Sequence, residues 1–206
     1  MSSIVVAGDT SGSITIAAPA VSGSNTLTLP VATDTLVGKA TTDTLTNKSI
    51  AATQLTGTIA AARLPAGSVL QVVNAAFSTY ISTTSVTYVD TGLSLAITPS
   101  SASNKVLAIA HCNGVSKGSS TNLTGSFKLV RAATSIIIFE DLSQYTGTTA
   151  AMSGEAATSY LDSPATTSSV TYKVQYATTA GTLQMNNFNG AAGLTTSTIT
   201  LMEIAG

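Results

Sequence analysis

Not one aromatic ring occurs before Phe77, and few side chains in that stretch exceed Leu or Ile in size. Rings bury some of the largest apolar areas a residue can offer, and a short segment hides little surface even with a good composition. Residues 1–76 therefore lack the bulk for a core of their own. Their pattern is nonetheless regular. Ile14-Thr15-Ile16 and Leu27-Thr28-Leu29 alternate with period two, each followed by a proline, Pro19 or Pro30, as short strands do. Thr33-Asp34-Thr35-Leu36 returns as Thr42-Asp43-Thr44-Leu45, and glycines at 8, 12, 23, 38 and 57 fall between the strand-like pieces, where turns call for positive φ. Repeated short strands gain stability by setting their apolar faces against identical neighbours around a common axis. The expectation for residues 1–67 is an extended β-repeat arm or stalk that docks to a particle; a Ser/Thr-rich linker is the competing reading. Ala51 to Arg63 has room for a turn or two of helix before Pro65-Ala66-Gly67, the expected boundary.

Residues 68–206 have the rings and a different rhythm. Strand patterns fall at Val69–Val73, Val86–Asp90, Leu93–Thr98, Lys105–Cys112, Ser126–Arg131, Ser135–Phe139, Val170–Ala177, Thr182–Asn186 and Thr198–Ile204, with Gly, Ser and Asn between them. Strands so short and so spaced predict a jelly-roll-like β-sandwich. Alternation places Leu93, Leu95 and Ile97, Phe127 and Leu129, and Tyr172, Val174 and Tyr176 on one face of their strands, the expected core. Ser143 to Ser159, with Gly147 and Gly154 among small polar residues, reads as the mobile part.

Charge narrows the partners. Only 8% of the 206 residues are charged and the net charge is −1, so no basic stripe offers itself to a phosphate backbone and nucleic acid is not an expected partner. So little charge does little to keep copies apart, and hydroxyl-rich strands have edges on which others can pair. The single cysteine, Cys112, excludes an internal disulfide and a cysteine-based zinc cluster. The N-terminus lacks the basic and long apolar regions of a secretory signal, and Ile136-Ile137-Ile138-Phe139 is too short to span a bilayer. Folding in the cytoplasm without membrane insertion is the expectation.

Chemistry is sparse. Asp90-Thr91-Gly92, with Asp9-Thr10-Ser11-Gly12 as a distant partner, has the form of an aspartic-protease turn, whose mechanism needs two carboxylates sharing a proton. Asp9, however, sits in the ring-free arm, and Asp90 falls between two strand patterns where such a tripeptide makes an ordinary turn. His111 and Cys112 are strand neighbours and project to opposite faces, so they form no dyad. Glu140-Asp141 closes an apolar strand, and acidic residues there are usually just solvated. With no phosphate loop, dinucleotide fingerprint or nucleophile elbow, the chain is expected not to be an enzyme, with no catalytic, cofactor-binding or metal residue and no cofactor.

Two stretches carry a resemblance. Gly8 to Ile16, Ser24 to Pro30 and Thr42 to Ile50, above all Asp43-Thr44-Leu45-Thr46-Asn47-Lys48, resemble the repeat regions of bacteriophage tail-fibre and related virion proteins. Tyr88 to Leu107 is similar to the first hairpins of virion proteins from phages of aquatic bacteria. Together these cover roughly half the chain. The resemblance implies a virion structural protein assembled in the bacterial cytoplasm, an intertwined homotrimer whose arm docks to tail, baseplate or capsid proteins. Its distal β-domain would face the host or the medium; Tyr and Asn side chains on its loops are the expected contacts for host-surface carbohydrate. Short for a complete long tail fibre, the chain fits a head fibre, short tail fibre or capsid decoration protein equally well. The resemblance carries over no catalytic residue.

Overall fold

The computed structural model describes residues 3–7, 10–17, 49, 57, 59–118, 122–145, 153–188, 191–192 and 195–206. The chain divides into two units, Met1–Thr56 and Gly57–Gly206. The division precedes the Pro65-Ala66-Gly67 turn. That turn is tied to the larger unit, because Gly67 N–H donates to Ala205 O at 2.8 Å.

In the first unit, β1 (Ser3–Ala7) and β2 (Ser13–Ala17) form an antiparallel ribbon in which Ile4 pairs with Ile16 and Val6 with Ile14. The expected strand Ile14-Thr15-Ile16 is thus present. Leu27-Thr28-Leu29, the Thr-Asp-Thr-Leu repeats and Ala51–Thr56 lie outside the described residues. Of the expected helical turn, a single 3₁₀ turn at Ala61–Arg63 is described.

The second unit is built from β3 (Val69–Phe77), β4 (Ile81–Thr83), β5 (Val89–Ile97), β6 (Lys105–Lys117), β7 (Asn122–Arg131), β8 (Thr134–Tyr145), β9 (Ser153–Asp162), β10 (Val170–Ala180), β11 (Leu183–Met185), β12 (Asn187–Phe188), β13 (Ala191–Ala192) and β14 (Ser197–Ile204). All the pairings are antiparallel. One sheet runs β5–β10–β7–β8; the other runs β3–β14–β6, with β9 on the free side of β6 and β11–β4 continuing beside its far end. The long pairs nest: β7 with β8, β6 with β9, β5 with β10 and β3 with β14. Successive pairs fall in alternate sheets, as in one long hairpin rolled up on itself, and that is the strand order of a jelly roll.

Alternation along each strand decides what the two sheets enclose. Phe127, Leu129, Tyr172, Val174, Leu93 and Ile97 are buried between them, and Tyr176 also joins the core, while Leu95 is half-buried at its margin. The Phe127 ring lies 5.9 Å from that of Phe139 and 6.2 Å from that of Tyr176. The larger sheet contributes small residues, Ala108, Ala110 and Cys112, to the same core. Each large side chain enclosed this way contributes about 1.5–3 kcal/mol.

Two strand expectations change. The expected strands Val86–Asp90 and Leu93–Thr98 merge into one, β5, which starts only at Val89 and ends at Ile97, because the Asp90-Thr91-Gly92 segment is a bulge: Gln175 pairs with Asp90 and Lys173 with Ser94, so Val174 faces the residues between. Thr91 Oγ1 closes the bulge, donating to Val174 O at 2.8 Å and accepting from Leu93 N–H at 3.1 Å. Gly92 has φ +88° and sits under the Phe77 ring, where a Cβ would meet Cε2 and Cζ at 2.9 Å. The second change concerns Ser143–Ser159, expected to be mobile: Ser143–Tyr145 ends β8, residues 146–152 lie outside the described residues, and Ser153 onward belongs to β9, paired along β6 from Ser116 to Val106. Its inward positions are small or polar, as at Ala156 and Thr158, so the strand carries little hydrophobic contrast for a sequence pattern to register.

The outer face of the larger sheet has a row structure that follows from register. Val72, Met202, Leu107 and Leu161 stand side by side across β3, β14, β6 and β9. The next row is Asn74, Thr200, Ile109 and Ser159, and the one beyond it is Ala76, Thr198, His111 and Ala157.

Candidate contact surfaces

The described residues that suggested catalysis each have a local partner or a place in the core. Asp90 accepts from Lys173 Nζ at 2.8 Å and Gln175 Nε2 at 2.7 Å. Its carboxyl is held below the usual value by the hydrogen bond from Lys173 and then that from Gln175, which outweigh a small opposing effect of burial. Asp9, its supposed partner, lies outside the described residues. Cys112 points into the core with no exposed surface, and burial pushes its thiol up to about 12. His111 projects to the opposite face, where its Nε2 is 2.8 Å from Glu155 Oε2. Glu140 is half-buried on β8, opposite Phe127. Among the described residues, no group of three or more His, Cys, Asp or Glu stands close enough to hold a metal.

Two buried carboxylates were not legible as special in the sequence. Glu203 is 1% exposed. It accepts from Gln71 Nε2 at 2.6 Å, Ser100 N–H at 2.6 Å, Ser100 Oγ at 2.8 Å and Asn104 Nδ2 at 2.6 Å. Burial alone would raise its pKa, but these donors outweigh that and hold the carboxyl below its ordinary value. Asp162, at the end of β9, is paired with Arg131 and accepts from Tyr172 Oη at 2.7 Å. Burial, and then the charge and hydrogen bond of Asp162, raise the Tyr172 phenol well above its usual range. Both arrangements clamp strands distant in the chain. Beside the Glu203 node, Leu64, Leu70, Ser101 and Gly206 help line a cleft of about 310 Å³.

The smaller sheet presents a shallower groove of about 210 Å³ beside Tyr88, bordered by Val86, Ser126 and Thr178. Tyr88 Oη is 2.7 Å from Ser126 Oγ, and Lys128 Nζ lies 4.0 Å from the ring centroid, a cation–π contact that fixes the ring's pose. With Asp90, Lys173 and Gln175 on the same sheet, this face offers a ring edged by hydroxyl, amide and charged groups. Such a surface suits shallow polar contacts better than enclosure of a small molecule.

The N-terminal ribbon offers a different surface. Ile4, Val5 and Val6 are 67%, 60% and 55% exposed. Consecutive strand residues point to opposite faces, so both faces of the ribbon carry uncovered apolar side chains.

No protein-family model matches the chain, and no curated protein matches it. A structure of infectious bursal disease virus, Gx strain, is similar over 67% of this chain and 41% of that chain, at a TM-score of 0.29 and 10% identity. The chain thus spans about two-fifths of that chain's length, and a likeness this shallow assigns neither fold nor role.

Proposed function

We propose that this chain is a non-enzymatic structural subunit of a bacteriophage particle, a homotrimeric fibre whose N-terminal arm is anchored on other virion proteins and whose jelly-roll domain meets the host surface. The observation that carries this reading is the β1–β2 ribbon, where Ile4, Val5 and Val6 stand exposed in succession. Among the described residues of its unit the ribbon is a two-stranded element, which is marginal in water by itself, and the apolar side chains on both its faces call for cover, which this reading assigns to other chains. The fibre-like phrases around Asp43-Thr44-Leu45-Thr46-Asn47-Lys48 support that placement. The double-sheet fold, which recurs in capsid and lectin domains, supports it by analogy only. The Tyr88 groove is the surface we assign to carbohydrate, because its ring offers an apolar body with polar groups at its edge. Trimerisation makes several weak contacts effective together.

Purified full-length protein is expected to sediment as a trimer and to slow phage adsorption to its host. A monomer at all accessible concentrations, or no effect on adsorption, removes the fibre reading. The second reading, a decoration protein that stabilises the head, is favoured by the low charge and the Ser/Thr-rich strands. Particles lacking the chain would then adsorb normally but lose heat tolerance.

A further inference from the structure

One row on the outer face of the larger sheet departs from the polar surface expected of a sheet that faces water on one side. Val72 on β3 is 55% exposed and Leu161 on β9 is 47% exposed, while Met202 and Leu107 between them are half-buried. The uncovered apolar area of this row is therefore greatest at its two lateral ends. We infer that β3 of one copy packs along β9 of the next through this face, strands parallel to the axis of a closed ring. The inference rests on the homo-oligomeric reading above and names the surface that would hold the copies together.

Chemistry at each level selects this arrangement. The β3 and β9 ends of the three rows match: Val72 with Leu161, Asn74 with Ser159, Ala76 with Ala157. Keeping the copies parallel continues each row into its like, apolar to apolar, hydrogen-bonding to hydrogen-bonding, small to small. Turning the second copy end for end about the middle row lays the apolar row against the one that contains His111. No Asp, Glu, Lys or Arg stands in any of the three rows, as the centre of an interface requires; Glu155, which meets His111, lies one level beyond them on β9, where the rim would leave it in water. Because the two complementary ends lie on different edges of one sheet, the contact is head-to-tail, and such contacts close into rings when the rotation permits. The occupant is a copy of this chain, since the complement of each end is the other end.

Sedimentation of the full-length protein and of V72E, L161E and I138E tests this. Ile138 is 55% exposed on the smaller sheet, so its variant controls for an added charge. V72E and L161E are expected to weaken association about thirtyfold or more, the size of an interface hot spot, while keeping the wild type's β-sheet circular dichroism and a cooperative unfolding transition; I138E should leave association within about twofold. In one chain, residues 72 and 161 are three strand spacings apart, about 14 Å, too far for a disulfide. Oxidised V72C/L161C is therefore expected to run as a covalent trimer. If V72E and L161E associate as well as an oligomeric wild type, or if V72C alone gives covalent dimers as readily as the double variant gives trimers, the proposed contact is overturned. A wild type that is monomeric throughout overturns the oligomeric reading itself, a distinguishable result.

Discussion

Gln71 and Glu203 stand opposite each other across the β3–β14 pair, the amide Nε2 2.6 Å from the carboxylate Oε2, although 132 positions separate them in the chain. Their contact joins the first and last strands of the sandwich. Ser100 and Asn104 bring the segment between β5 and β6 to the same carboxylate.

This node sets an acid limit on the fold. Glu203 has a pKa below its ordinary 4.5 in the folded protein and an ordinary one when unfolded, so the unfolded state takes up the proton more readily. The stabilisation is present above about pH 4.5 and is lost as pH falls from there through the folded pKa. Glu203→Gln puts an amide donor among groups that already donate and should cost about 1–3 kcal/mol at neutral pH. Its urea midpoint should also fall less steeply than the wild type's below pH 4.5. Parallel acid profiles would show that the node does not contribute.

Two glycines with positive φ should respond very differently to alanine. Gly114 has φ +57°, and a Cβ there would lie 2.4 Å from Thr195 Oγ1 and 2.5 Å from Asn187 O. Backbone on that side cannot yield cheaply, so Gly114→Ala should cost about 4 kcal/mol or more. Gly67 has φ +88° with nothing within 4 Å of its Cβ position. Gly67→Ala should cost only the backbone strain, about 1–2 kcal/mol. Thermal unfolding of both variants checks the order.

Cys112 should behave as a reporter of opening. With its side chain enclosed and the thiol raised to about 12, the thiolate that attacks an alkylating reagent or a disulfide is scarce and inaccessible in the native state. At pH 8, labelling should be slow in buffer, fast in denaturant, and limited in between by the rate or equilibrium of unfolding. Rapid native labelling would mean that the core at β6 opens far more often than its packing implies.

The Asp90 ion pair is exposed and should contribute little. Asp90→Asn keeps Gln175 bonded but loses the charge attraction to Lys173, a change of about 0.2–1 kcal/mol. Under the non-enzymatic reading, neither the wild type nor the variant hydrolyses casein or a peptide library at acid or neutral pH. Proteolysis by the wild type that vanishes in Asp90→Asn would establish the opposite.

Much of the sandwich was legible because alternation is a local property. Phe127 and Leu129, or Tyr172, Val174 and Tyr176, declare their shared face without reference to any other strand. Strand β9 escaped because inward residues such as Ala156, Thr158 and Asp162 are small or polar. The bulge at Thr91-Gly92 read as a turn because the tripeptide looks the same in both settings and only Val174, on another strand, tells them apart. The groove at Tyr88 was invisible for a related reason: its ring, Ser126 and Lys128 meet only after β5 and β7 have been set on either side of β10.

The chain's own order of residues determined that this protein is all-β, where its rings begin, and which face of most strands turns inward, since these depend on neighbours one or two positions away. Tertiary structure decided the nested strand order, the burial of Glu203 and Asp162 among donors, and the level rows on the outer sheet. Those depend on which distant strands pair and in what register. A shift of one residue would turn every side chain to the other face, and that choice belongs to the packed core as a whole.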